Sequence, residues 1–444
     1  MYFLYSLLFA VGLLLYVPIL AWASLGRGKR VGDLRQRLGL IEPLRTRRPV
    51  IWIHCVSVGE TQAAQPLIRA LREEYPDHEI AVSTVTATGQ DTARALFAGQ
   101  VSRIFYFPLD LPFAVRRALR AIAPHIVLIM ETELWPRFLR ECHFMGVPTA
   151  LVNGRLSARS FARYQLVRWF FRRVVGNLSR AVMQTEADAQ RIEALGLAAE
   201  RVCVAGNIKF DVEPGTNIAQ TARELAARFS LRDDLLIVAA STHRPEEGIV
   251  IEAFKRARRR YNARRPRLLI APRHPERFEE VADMLARSGL AWTRRTRPPS
   301  AEDGRADAIL LDTIGELRAV YELASLVFVG GSIAPAGGHN VLEPAAVGCP
   351  IIIGAHAFNF ERIVGEFVAA KALVQLPETD IERAMDRLAD EFASLLADEE
   401  RRRSMGERAR AMVERNRGAA ARTLQALAPL LATRGDLRTS VARK

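Results

Sequence analysis

Short, unbroken apolar runs recur along the chain, each followed by a segment with the three-to-four-residue period of a helix. "PVIWIHCVSV" precedes "AAQPLIRALREEY", "EIAVSTVT" precedes "GQDTARALF", and "HIVLIME" precedes "LWPRFLREC". "PTALVNG" and "RAVMQT" continue the rhythm, the first leading into a long helical stretch from 157. Continuous apolar strands alternating with helices predict a parallel sheet covered on both faces. The rhythm breaks at "NIKFDVEPGTNIAQTARE", 207–224, and a second series then begins: "LLIVAAST", "RLLIAPR", "LAWT", "AILLDT", "LVFVGGS" and "PIIIGA". The pattern therefore predicts an α/β protein with two doubly wound, Rossmann-like domains. Their spans are 26–212 and 233–444, joined by a linker at 213–232, with the C-terminal helices assigned to the second domain. Such sheets bind ligands beyond the carboxyl ends of their strands, so the two halves are expected to face each other across a cleft.

Residues 1–25, "MYFLYSLLFAVGLLLYVPILAWASL", carry no charged side chain, and about 20 apolar residues span a bilayer as a helix. Arg27, Lys29, Arg30, Arg35 and Arg37 follow directly, which keeps the C-terminal side in the cytoplasm. An N-terminal transmembrane anchor is thus expected, the alternative being a cleaved leader, since "AWA" at 21–23 resembles a cleavage tripeptide. A length of 444 residues suits two domains of ordinary size. The net charge of +14 and pI near 10.2 add a polyanionic partner: nucleic acid, an anionic membrane surface or a phosphorylated substrate. The four cysteines form no CxxC pair and lie at no zinc-finger spacing, so neither a disulfide framework nor a structural zinc is expected. The charged C-terminal helix reads as a solvated face, because no RNA-binding motif accompanies it.

Candidate chemistry sits at the strand ends. Glu60 follows the first strand at a bend that opens a helix. An acid there either meets the helix dipole or does chemistry. Arg273 and His274, in "APRHPERF", can hold an oxyanion by forked hydrogen bonds or form a simple surface pair. "DTIGEL", 312–317, opens a helix whose free N–H groups can receive an anion. In "FVGGSIAPAGGHNVLEPAAVGCPIIIGAHAFNF", 328–360, glycines let backbone approach a ligand, and Asn340 and Glu343 share one side of a helix start, where a carboxylate can accept ribose hydroxyls. No GxxxxGK[ST], D-x-D or GxSxG occurs.

"HCVSVGE", "ETELWP", "NGRLS", "GNIKFD", "APRHPER", "DTIGEL" and "GGHNVLEPAAVGCPIIIG", in that order, resemble the motifs of the 3-deoxy-D-manno-octulosonic acid (Kdo) transferases of lipopolysaccharide synthesis. The resemblance covers essentially the whole chain. It implies a GT-B glycosyltransferase moving Kdo from CMP-Kdo to a tetraacyl lipid A precursor at the bacterial inner membrane. Transfer would proceed with inversion, without a metal or other cofactor, and without a nucleic-acid partner. By the same resemblance Glu60 is the general base, and Glu131 and Lys209 stabilise the transition state. Pro272, Arg273, His274, Ile314, Gly315, Glu316, Asn340, Val341, Leu342 and Glu343 form the CMP site. A carboxylate at a helix N-terminus is expected to be held ionised. Lys209 has a second candidate partner in Asp211. The helix carrying Arg155, Arg159 and Arg163 either lies among lipid headgroups or packs into the first domain. The competing readings are a UDP-sugar-dependent transferase or epimerase and a non-catalytic, membrane-anchored binder of polyanions.

Overall fold

The computed structural model describes residues 1–2, 4–13, 33–212, 217–231, 234–261 and 263–432. Its first sheet contains β1 (Val50–Cys55), β2 (Glu79–Thr84), β3 (Arg103–Tyr106), β4 (Ile126–Met130), β5 (Thr149–Gly154), β6 (Arg180–Met183) and β7 (Val202–Val204). They lie in the order β3-β2-β1-β4-β5-β6-β7, every pair parallel. All residues of β1, β4 and β5 are buried, as strands covered on both faces require. Trp52 anchors one face, its ring 5.1 Å from Phe105 and 5.2 Å from Phe138. The direction of winding reverses between β1 and β4, and their carboxyl ends form the switch point where such sheets place ligands.

The second sheet contains β8 (Leu235–Thr242), β9 (Pro266–Pro272), β10 (Trp292–Arg294), β11 (Ala308–Leu310), β12 (Leu326–Val329), β13 (Ile351–Ile353) and β14 (Val374–Gln375). It is also all parallel, in the order β10-β11-β9-β8-β12-β13-β14, and its switch point lies between β8 and β12.

Two compact units result: Met1–Asp211 with Asn416–Lys444, and Val212–Arg415. This division differs from the sequence reading at two places. The helix Ala419–Leu431 belongs to the first unit, where Ala419, Ala420, Leu424, Leu427 and Leu431 are buried in a cluster with Ala63, Ala64 and Leu67. Amphipathicity gave this helix an apolar face but could not say which sheet that face covers. The expected linker carries the helix Ile218–Phe229, which buries Ala222, Leu225 and Phe229 in the second unit. Its Arg228 donates to the buried Asp303 at 3.0 Å.

Of the expected anchor, residues 4–13 are helical, and residues 14–25 lie outside the described residues. Among the described residues no helix is long and apolar enough to cross a membrane. The arginine-bearing stretch divides into the helices Ala158–Leu166 and Arg168–Val175. Phe161, Tyr164, Phe170 and Phe171 pack on the first core. Leu166 (84% exposed) and Trp169 (61% exposed) face solvent.

Candidate functional site

In the first unit the chain leaves β1, turns at Val56–Ser57 and enters the helix Val58–Ala63. Ser57 caps that helix, its Oγ accepting from the Glu60 N–H at 3.3 Å. The Glu60 carboxylate reaches back: Oε2 accepts from the Val56 N–H at 2.7 Å and Oε1 from the Ser57 hydroxyl at 3.1 Å. This reciprocal arrangement is a form of capping box, so the structural reading of Glu60 is realised in the fold. The expectation that the helix terminus keeps Glu60 acidic is overturned. Burial pushes its carboxyl up to about 8, with the charges of Glu131 and Glu133 adding to it, against the opposing Val56 N–H and Ser57 hydroxyl. Loss of water outweighs the helix terminus because only 8% of the residue is exposed.

Glu131 stands directly after β4 with φ +55°. A left-handed glutamate costs on the order of 1 kcal/mol and persists where its surroundings fix it. Two bonds do so here: its N–H donates to Val152 O at 3.0 Å, and its Oε1 lies 3.0 Å from Lys209 Nζ. Lys209 is held by a short turn, Ile208–Phe210, whose Ile208 N–H donates to Asn153 Oδ1 at 3.0 Å. Asn153, at the end of β5, is itself left-handed at φ +52°. Glu133, two residues beyond Glu131, is raised by burial and then by the Glu131 charge. The first switch point thus gathers Glu60, Glu131 and Glu133 with one lysine.

Asp211 is occupied elsewhere. Its carboxylate accepts the N–H groups of Gly418 and Ala420 at 2.6 Å and of Ala419 at 3.3 Å, capping the C-terminal helix. Lys209 is therefore Glu131's partner, which decides the alternative left open by sequence. Asp211→Ala is expected to destabilise the first unit by about 1–2 kcal/mol, the usual range for a lost N-cap, read as a lower urea midpoint. An unchanged midpoint would show that the helix holds by packing alone.

In the second unit, Pro272 ends β9 and is buried, while Arg273 and His274 follow it into solvent. The Arg273 N–H donates to Thr242 O at 3.0 Å, which ties the ends of β8 and β9 together. Ile314 is 72% exposed beside Gly315 at φ +95°, a conformation that suits glycine. The Glu316 carboxylate is engaged by Arg295 at 2.8 Å and by the Thr313 hydroxyl, so it braces the loop while its neighbours offer backbone. Asn340 Oδ1 accepts from the Leu342 N–H at 3.0 Å, and Val341 and Leu342 are buried. Arg318 binds Glu343 through Oε1 at 2.9 and 3.1 Å. That leaves Oε2 as an acceptor for a ligand hydroxyl.

Several residues here escaped the sequence reading. Glu246 is fully buried, and its carboxylate accepts from the N–H groups of His243, Gly331, Ser332 and Ile333 at 2.7–2.9 Å. It clamps the glycine-rich loop to the end of β8. His243 and His339 lie Nε2 to Nε2 at 2.8 Å. In sequence, Glu246 reads as one more acid in a helix's first turn, and two histidines 96 positions apart carry no pairing signal. Glu133 was in view within "ETELWP", but nothing local distinguished it from a surface acid.

Residues 32–212 match the family described as 3-deoxy-D-manno-octulosonic-acid transferase (kdotransferase), and residues 305–412 match glycosyl transferases group 1. The 3-deoxy-D-manno-octulosonic acid transferase of Bordetella pertussis is 37% identical over 397 residues, covering 88% of this chain and 89% of that protein. That of Haemophilus influenzae is 34% identical over 383 residues, covering 86% and 87%. Among solved structures, a glycosyltransferase from Rickettsia africae aligns with TM-score 0.52 at 13% identity, over 87% of this chain and 100% of that one, a likeness of fold. With relatives this similar over nearly the full length of both partners, the chain belongs to the 3-deoxy-D-manno-octulosonic acid transferase family.

Proposed function

We propose that this glycosyltransferase moves Kdo from CMP-Kdo to the tetraacyl disaccharide bisphosphate precursor of lipid A, with inversion and without a metal. The observation that carries the reading is the cluster at the first switch point, where a buried carboxyl near pKa 8 stands among two further glutamates and a lysine. An acceptor hydroxyl must lose its proton as it attacks. A carboxylate of raised pKa, ionised in part of the population, is a stronger base than an ordinary one. Glu60 is assigned that role. Lys209 and Glu131 are assigned to the charge developing at the donor sugar, which carries its own carboxylate.

The CMP moiety is assigned to the second unit. Arg273 and His274 would take the phosphate, backbone at Ile314 and Gly315 the base or ribose, and Oε2 of Glu343 a ribose hydroxyl. Preorganised cations of this kind offset leaving-group charge without a metal ion.

Residues 1–25 are proposed as an inner-membrane anchor, with the catalytic units on the cytoplasmic side. In the described part, Leu4, Leu7, Leu8 and Val11 form one exposed apolar stripe. The opposite side binds the first unit, through the Tyr5 hydroxyl to Asp110 Oδ2 at 2.8 Å and the Tyr2 ring beside Phe170. Exposed Leu166 and Trp169 lie among Arg159, Arg163 and Arg168, a combination suited to anionic headgroups.

Transfer from freshly generated CMP-Kdo to the tetraacyl precursor in detergent, with products weighed by mass spectrometry, tests the reading. Kdo-bearing product is expected at an undiminished rate in EDTA. Loss of product in EDTA, restored by a divalent cation, would remove the metal-independent mechanism. Absence of product from folded protein that binds CMP would remove the acceptor assignment.

A further inference from the structure

We propose that His243 and His339 act as one proton-accepting unit that binds the donor's phosphate and strengthens its hold as that phosphate leaves. This rests on the reading of the second unit as the nucleotide site.

The geometry makes the two rings a pair. His243 follows β8, with its N–H fixed to Glu246 at 2.9 Å. His339 rides on the loop that the same carboxylate pins at Gly331, Ser332 and Ile333. The rings are nearly parallel, 13° apart, and meet at 2.8 Å between Nε2 atoms. The loop passes so close that a Cβ at Gly331 would lie 3.0 Å from the His339 ring. At that Nε2 separation only one proton fits between the rings, so one donates and the other accepts.

In the neutral pair, one Nδ1 carries a proton and the other a lone pair. Adding a proton keeps the shared bond and leaves an N–H on both Nδ1 atoms. The pair thereby becomes a cation whose two Nδ1–H groups diverge, so one of them at most donates to a given phosphate and the pair's charge supplies the rest of the attraction.

Its surroundings hold it neutral without a ligand. Burial pushes His339 down to about 3, with Arg273, His243 and His274 adding to it. Burial also lowers His243, with His274, Arg273 and Arg277 in the same direction and Glu246 opposing. The ring of His274 stands edge-on to His243 at 5.1 Å. Arg277 is already paired with Glu247 at 2.9 Å. Arg273 has no ion pair or side-chain hydrogen bond among the described residues. A phosphate arriving at Arg273 offsets one of the charges that add to burial in holding the pair neutral, and itself attracts a proton to the rings, so the pair's proton affinity rises as the anion binds.

In transfer, the acceptor oxygen bonds to the anomeric carbon of the donor sugar and its proton passes to Glu60. The bond from that carbon to the phosphate oxygen breaks, and its electron pair stays on the phosphate. A diester with one charge becomes a monoester with two. A protonated pair gains attraction as that second charge forms, which is selective stabilisation of the transition state.

Calorimetry with CMP tests this on the full chain in detergent at pH 7.5, in HEPES and in Tris, whose ionisation enthalpies differ. His243→Gln and His339→Gln, made singly and together, keep polar groups near the Nε2 positions, and the double variant has no ring left there to take up a proton. Wild type is expected to absorb protons as CMP binds, by any amount up to one per CMP, whereas the double variant binds CMP more weakly and absorbs markedly fewer. CMP binding by wild type without proton uptake overturns the proposal and leaves the nucleotide site standing. Uptake that persists undiminished in the double variant places the proton outside the pair, on His274 or on the nucleotide phosphate, and also overturns it. Failure of folded wild type to bind CMP removes the nucleotide site itself and this proposal with it.

Discussion

Replacing Glu60 with glutamine should lower the rate of Kdo transfer by about 10²–10⁴-fold, the usual contribution of a general base, while leaving the protein as stable as wild type or more so. The two halves of this expectation separate the roles that one carboxylate combines. As a cap, Glu60 accepts from the Val56 N–H and the Ser57 hydroxyl, and a glutamine carbonyl oxygen can accept in its place. As a base it must bind a proton, and glutamine cannot. Alanine removes both functions, leaves the Val56 N–H without its acceptor, and should cost about 1 kcal/mol of stability in addition to activity. The pH dependence follows from the raised pKa. The folded protein keeps a proton on Glu60 up to about pH 8, whereas the unfolded chain releases it near the ordinary 4.5. Between those values the folded state binds more protons, so this group makes stability fall as pH rises. The Gln variant lacks that penalty, and its advantage over wild type in urea unfolding should be larger at pH 8.5 than at pH 5. In wild type, kcat/KM should rise with pH toward a midpoint near 8 as the base ionises. A Gln variant that transfers Kdo at a rate near wild type would return Glu60 to a purely structural role.

The alternation of apolar strands and helices was sufficient to predict both parallel sheets, because strands buried on two faces leave unbroken runs such as 50–55 and 235–240. Strand ends were legible for the same reason, which is why Glu60 and Arg273 could be picked out where a run stops. What could not be read was pairing over distance. Asp211 and the helix Ala419–Leu431 are separated by the whole second unit in sequence, so the cap that returns this helix to the first unit has no local trace. Electrostatics failed similarly. Proximity to a helix terminus is a sequence-local fact and suggested an acidic Glu60, but burial and the neighbouring Glu131 and Glu133 are set by the sheet. The resemblance to Kdo transferases supplied roles for Glu60, Glu131 and Lys209; the fold supplied the ion pair that links two of them.

That ion pair yields the second large effect. Lys209→Met and Glu131→Gln should each slow transfer by about 10²–10³-fold, the scale for losing a preorganised charge at the reacting centre, and should displace the alkaline-rising limb of kcat/KM in opposite directions. The Glu131 charge raises Glu60, and Lys209 stands 3.0 Å from that charge. Removing the lysine exposes Glu60 to an uncompensated anion, so its proton is held more tightly and the limb moves to higher pH. Removing the Glu131 charge takes away one cause of the raised pKa, so the limb moves to lower pH. Stability should discriminate as well. Lys209→Met leaves a mostly buried carboxylate without its partner in a strained, left-handed residue, and should be the more destabilising of the two. The double variant should recover part of that stability but none of the activity, because charge stabilisation of the donor sugar is then absent altogether. A merely structural ion pair would behave differently: both single variants would lower the unfolding midpoint and keep the pH limb where wild type has it. Opposite shifts of the limb in two variants of one pair are the outcome that an electrostatic role in catalysis requires.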